Sequence, residues 1–141
     1  MTVTHSGLIT IPSSFGPKET ADRLVAAIAV WGNAVLARID HAAAAAKTGL
    51  ELRPTEVLIF GNPHVGTPLM KAAQTIGIDL PLKALVWQDR AGRTWLSYND
   101  PKWLAERHGA EEGNRVALDA MSNSLASAAR EAVSAGASPL R

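Results

Sequence analysis

The stretch Glu51 to Asn62, ELRPTEVLIFGN, continued by Pro63, His64, Val65, Gly66, Thr67 and Pro68, decides how this chain is read. Thr55 to Phe60 is almost uninterruptedly apolar, which predicts a central strand with both faces covered. Gly61, Asn62 and Pro63 make a corner, because glycine and asparagine tolerate left-handed backbone and proline fixes the exit direction. Thr67 and Pro68 suit the cap and first residue of a helix, with Leu69, Ala72, Ala73 and Ile76 as its inward stripe and Gly77 as its stop. A strand, a corner and a helix start in succession deliver polar groups to a strand end, a place where ligands often bind.

Outward from that segment the pattern continues. Gly7 to Ile11 reads as a short strand, followed by breakers and then Pro17 at a first helical position. Ala21, Leu24, Ile28 and Trp31 recur at helical spacing up to Gly32. Ala34 to Asp40 alternates as a strand, with Val35, Ala37 and Ile39 against Leu36, Arg38 and Asp40. Ala42 to Ala46 suit a short helix or close-packed loop. Leu82 to Gln88 and Arg93 to Tyr98 form a hairpin across Asp89-Arg90-Ala91-Gly92. Asp100-Pro101 opens a helix that runs to His108 and stops at Gly109. Asn114 to Ala135 is a longer helix with a thin stripe of Leu118, Met121, Leu125, Ala128 and Ala132, suited to its own domain or to a partner subunit. Ala137 to Arg141 reads as a frayed tail.

These elements give an α+β two-layer sandwich: a mixed or antiparallel sheet of about four to five strands with helices mainly on one face, plus a C-terminal helix. We divide the chain into a domain over residues 1–110 and a helical extension over 111–141, packed on the domain or on a partner. A sheet uncovered on its second face exposes Trp87, Trp95 and their alternating neighbours as an apolar patch, which a homodimer would bury.

The 141 residues suit one domain, with 47% hydrophobic residues, 19% charged residues and a net charge of +1. That balance disfavours nucleic acid as a partner. The absence of cysteine excludes disulfides and thiolate chemistry. Together with an N-terminus lacking a signal core and the lack of any long apolar window, it leads us to expect a cytoplasmic protein with no membrane span.

His41, Asn62, His64, Tyr98 and Asp100 fall at strand ends or in the loops after them, where one pocket could gather two imidazoles, an amide, a phenol and an acid. His41 and Asp100 are the catalytic candidates; His41, Asn62, His64 and Tyr98 are the ligand-binding candidates. Each also has an ordinary structural role open to it: a helix cap for Asp100, a corner for Asn62, packing for Tyr98 and a hydrogen-bonded structural histidine for His41. Scattered histidines with no HxxxH or HExxH pair give no metal site, and the absence of GxxxxGK[ST], GxGxxG and GxSxG leaves no nucleotide or serine-hydrolase motif. No cofactor is expected. Arg107 and His108 suit the last turn of a helix, where cations complement the dipole.

Ile39-Asp40-His41, the Glu51 to Pro68 segment, Asp79-Leu80-Pro81-Leu82-Lys83 and WLSYNDPKWLAERHG (Trp95 to Gly109) together resemble the bacterial and archaeal family called domain of unknown function 302. The resemblance covers roughly Gly7 to Gly109. It implies an α/β sandwich of the TATA-box-binding-protein-like kind, without that fold's DNA binding. The expected function is a small-ligand-binding homodimer with a polar pocket at strand ends. The alternatives are an enzyme using His41 as general acid or base, and an interaction module acting through its apolar sheet face.

Overall fold

One antiparallel sheet organises the molecule, and each strand's alternation decides which side chains meet the helices. The computed structural model describes residues 2–3 and 6–135. The strands are β1 (Thr2–Val3), β2 (Leu8–Ser13), β3 (Ala34–Asp40), β4 (Thr55–Gly61), β5 (Leu82–Gln88) and β6 (Thr94–Asn99). Their order across the sheet is β1-β2-β6-β5-β4-β3, so five long strands carry a two-residue strand at one edge. The helices are α1 (Pro17–Val30), α2 (His41–Lys47), α3 (Pro63–Ala72), α4 (Pro101–His108) and α5 (Arg115–Val133), with a short 3-10 helix at Gln74–Ile78 between α3 and β5. The α+β architecture is the one expected from the sequence.

Cross-strand pairing sorts the strand residues into two faces, since directly opposed residues point the same way. Ile9 pairs with Tyr98, Tyr98 with Ala84 and Ala84 with Leu58. Ile11, Leu96 and Val86 make the next row. All of these are buried, beneath a layer in which Ala21, Leu24 and Ile28 of α1 and Leu125, Ala128, Ala129 and Ala132 of α5 are also buried. The C-terminal helix therefore packs on its own domain. Arg23 of α1 fixes the pair by donating to the carbonyls of Glu131, Ala132 and Ser134, with its guanidinium 4.2 Å from the centre of the Phe15 ring.

Among the described residues, no helix covers the other face. Pro12, Trp95, Trp87 and Thr55 form one row across it, Thr10, Ser97, Leu85, Val57 and Ile39 the next, and Leu8, Asn99, Lys83, Ile59 and Ala37 the third. The expectation that β4 has both faces covered is thus corrected: Leu58 and Phe60 are buried, whereas Val57 and Ile59 remain half-exposed on the open side. The strict alternation read for β3 also breaks. A bulge at Leu36 lets Val35 pair with Phe60 on the helix side and Ala37 with Ile59 on the open side.

Local signals explain most element ends. The hairpin turn has Gly92 at φ 84, and the Asp89 carboxylate accepts from the Ala91 and Arg93 amides. Asp100 caps α4 and Gly109 ends it at φ 70. The start of α3 differs from the reading above. Asn62 caps it and Pro63 takes the first helical position, so Pro68 lies inside the helix. The chain then leaves α3 at Ala73, in extended backbone, and Ile76 is buried from the 3-10 helix and not from α3. The tail from Ala137 to Arg141 lies outside the described residues.

Candidate functional site

A cleft opens on the helix side, where the end of β4 meets the starts of β3 and β5. It holds about 460 Å³, within the range of roughly 300–1,000 Å³ common to small-molecule sites. Phe60, Gly61 and Leu82 form its floor, Val65, Gly66 and Met70 of α3 one wall, and Ala117, Ala120, Met121 and Ser124 of α5 the facing wall. Ile28 and Trp31, at the end of α1, close the third side. The sequence builds this opening from small residues: alanines on α5 and Gly66 on α3 leave unfilled the space that larger side chains would occupy. Trp31 and Leu36, both exposed apolar residues, stand among the lining, and the Trp31 indole is held by the Glu131 carboxylate at 2.8 Å.

No lining residue is charged. The polar side chains are Asn33, Asn62, Thr67 and Ser124. Asn62 spends its amide on the corner: its oxygen accepts from the His64 amide at 2.9 Å and its nitrogen donates to the Gly32 carbonyl at 3.4 Å. Among the described residues, none hydrogen-bonds the side chains of Asn33, Thr67 or Ser124. The cleft is therefore apolar with a few hydroxyl and amide groups, unlike the polar pocket expected at the strand ends.

Of the five residues singled out in the sequence, only Asn62 reaches this cleft. His64 follows it on the exposed side of α3. His41 is exposed at the start of α2, beyond the Asp40–Glu56 pair, at the opposite end of the sheet from Gly61. Tyr98 is 3% exposed in the helix-side core, paired with Ile9 and Ala84, three strands away from β3. Burial, and then the Asp100 carboxylate, push its phenol above the usual value, with Arg130 opposing. Asp100 accepts from the Lys102 amide at 3.1 Å and from the Ser122 hydroxyl at 3.0 Å, so it joins α4 to α5. His41, Tyr98 and Asp100 are not brought together.

A cluster that the sequence reading divided does assemble. His108 lies between Asp79, whose carboxylate oxygen is 2.5 Å from Nε2, and Thr75, whose hydroxyl is 2.9 Å from Nδ1. Arg107 donates to both Asp79 oxygens at 3.0 and 3.2 Å. The acid, imidazole and hydroxyl tie the 3-10 helix to the end of α4, and none of the three lines the cleft. Spacing could not reveal this, since Asp79 and His108 are 29 residues apart. Among the described residues, no group of three or more His, Cys, Asp or Glu side chains could hold a metal.

A model of the family described as Domain of unknown function DUF302 matches residues 9–129. The chain belongs to this family. The match runs past Gly109 through most of α5, so the helix that walls the cleft is part of the DUF302 domain. A solved structure from Bacillus stearothermophilus, an uncharacterized conserved DUF302 protein, superposes with a TM-score of 0.79 at 24% identity. It aligns over 89% of this chain and 98% of that one, and it supports the DUF302 fold alone. Curated relatives named Fluoride-specific ion channel FluC 1, from Brucella suis and Brucella abortus, are each 47% identical over 119 residues. The matched stretch is 84% of this chain but 47% and 44% of theirs. The chain thus spans about half the length of the curated relatives it matches. No helix among its described residues is long and apolar enough to cross a membrane.

Proposed function

We propose that this DUF302 chain is a small-molecule-binding domain whose ligand lies in the cleft between α3, α5 and the end of β4. The observation that carries this reading is a cleft of about 460 Å³ lined without a single charged side chain. Such a wall rewards removal of apolar surface from water and supplies no counter-charge for a phosphate or carboxylate. The ligand class is therefore an uncharged, largely apolar molecule, oriented by a hydroxyl or carbonyl that meets Asn33, Thr67 or Ser124. A general acid or base role for His41 draws no support from the geometry, because that imidazole stands at the far end of the sheet.

The channel named in the Brucella relatives needs a membrane-spanning part. This chain, with no such helix among its described residues, fits the role of an accompanying ligand-binding domain better than that of a helical pore.

Titration with the uncharged fluorophore N-phenyl-1-naphthylamine tests the proposal. Saturable binding at one site per chain is expected, lost when Ser124→Phe fills the cleft from α5. Equal binding by the wild type and a folded Ser124→Phe protein would sink the reading; Ala120→Trp, from an exposed position on the same wall, supplies an independent second obstruction.

A further inference from the structure

We infer that the open face of the sheet is a homodimer interface, in which two copies pack face to face as a four-layer sandwich with their helices outermost. Three observations carry this.

The first is composition. Leu85, Val57, Ile59, Ile39, Trp87 and Trp95 sit side by side on that face, and β4 stays apolar on the side where the monomer gives it no cover. Apolar residues on a solvent-facing side of an antiparallel strand contradict the usual polar alternation unless something covers them.

The second is that the face makes almost no polar demands on a partner. The Trp87 indole donates to the Ser97 hydroxyl at 2.9 Å and the Trp95 indole to Asp89 at 2.8 Å, while Ser97 also meets Thr10 at 2.9 Å. With their N–H groups satisfied within the chain, the two stacked rings, 6.1 Å apart, present rigid apolar surface. Lys83 is the one charged side chain among the described strand residues of this face. Its ammonium is drawn to the sheet end by the Pro81 carbonyl at 3.1 Å and the Asp79 carbonyl at 3.4 Å. At the hairpin end the Arg93 guanidinium lies 5.6 Å from the centre of the Trp95 ring and is paired with the Asp89 carboxylate at 3.6 Å, so a nucleic acid or a charged peptide finds few free charges here to pair with.

The third is shape and size. Two copies of one sheet share the same twist, so they stack in the aligned manner of β-sandwiches with no adjustment. Five long strands at ~4.8 Å spacing, each of 6 or 7 residues rising ~3.4 Å apiece, project roughly 500 Å² per copy. Two such faces reach the order of 1,000 Å² that a specific interface requires. A twofold arrangement sets the same patch against itself, which suits a face whose one strand charge, Lys83, is drawn to the sheet end.

Sedimentation-velocity ultracentrifugation of the full chain tests the inference. A species of twice the 14.9 kDa chain mass is expected at micromolar concentration. Leu85→Lys, which buries an unpaired charge in the interface, should weaken association at least a hundredfold, on the order of a buried unpaired charge. Its far-UV circular dichroism should be unchanged. Val116→Lys, on an 87% exposed residue of α5, should leave the dimer intact. If Leu85→Lys does not fold, Ile39→Lys decides, because Ile39 is already 42% exposed in the single chain. A wild type that sediments as a monomer overturns the inference, and so does a dimer that survives Ile39→Lys.

Discussion

Two glycine-to-alanine changes should move stability in opposite directions, because the backbone and the surrounding space differ. Gly66 lies in α3, away from the left-handed region, and a Cβ added there meets only Leu80 Cδ1 at 3.7 Å and Met70 Cε at 3.9 Å, both ordinary contacts. Replacing a helix-interior glycine by alanine recovers about 0.5–1 kcal/mol of backbone entropy and propensity. For a chain of this length that is a rise in Tm of roughly 2–5 °C. Gly7 is the reverse. Its φ is 77, and a Cβ would lie 2.3 to 2.6 Å from three atoms of Trp103. The indole must move or the strand start must shift, while the left-handed backbone adds about 1 kcal/mol, so the total loss should exceed ~2 kcal/mol, in line with overpacking penalties. Urea denaturation followed by circular dichroism measures both. A destabilised Gly66→Ala protein would refute the helical assignment of α3 across Pro63 to Pro68, and a neutral Gly7→Ala would refute the packing of Trp103 beneath β2.

Other outcomes follow from single contacts. Tyr98 is the sole tyrosine, so tyrosinate absorbance reports it alone; its midpoint should lie above the ordinary value of about 10 in the folded protein and return to it in denaturant. A folded pKa above the unfolded one means a contribution to stability that is complete below the unfolded pKa and lost as pH rises through the folded one. A folded midpoint at or below the denatured one would contradict the burial of the phenol. Asp100→Ala removes the cap of α4 and its bond to Ser122, and should cost about 1–2 kcal/mol in urea melts; an unchanged midpoint would show that the cap carries no weight. His108→Ala should cost about 1–3 kcal/mol by leaving Asp79 with fewer partners, whereas His41→Ala, at an exposed position, should change stability by less than about 0.5 kcal/mol. The reverse order in thermal melts would mean that the two histidines have been assigned each other's role.

What the sequence made legible was punctuation and period. Asp100-Pro101 with Gly109, and Asp89 to Gly92, carry their own turn and cap chemistry, so α4 and the β5–β6 hairpin could be read from a few adjacent residues. The start of α3 was misplaced because Asn62-Pro63 and Thr67-Pro68 are equally good cap pairs, and only the folded contacts of the corner choose the first. Covering of β4 could not be judged from its own residues, since a strand buried by a second subunit and one buried by its own helices have the same apolar run. The candidate site was legible only at Asn62, where a turn residue marks a strand end. The rest of the cleft is made by what is small or missing on α5 and α3, and alanines in a helix look the same in sequence whether they face a neighbour or an opening. His41 and Tyr98 could not be separated without strand order, which sends the end of β3 away from the end of β6.

A crystal structure of the chain purified from cells with no ligand added would show whether the cleft holds a molecule. Density is expected for an uncharged molecule resting on Phe60 and Leu82 between Met70 and Met121, with a polar atom directed at Asn33, Thr67 or Ser124. Density for a charged ligand beside His41 or His64, with ordered water filling the cleft, would contradict the proposed site.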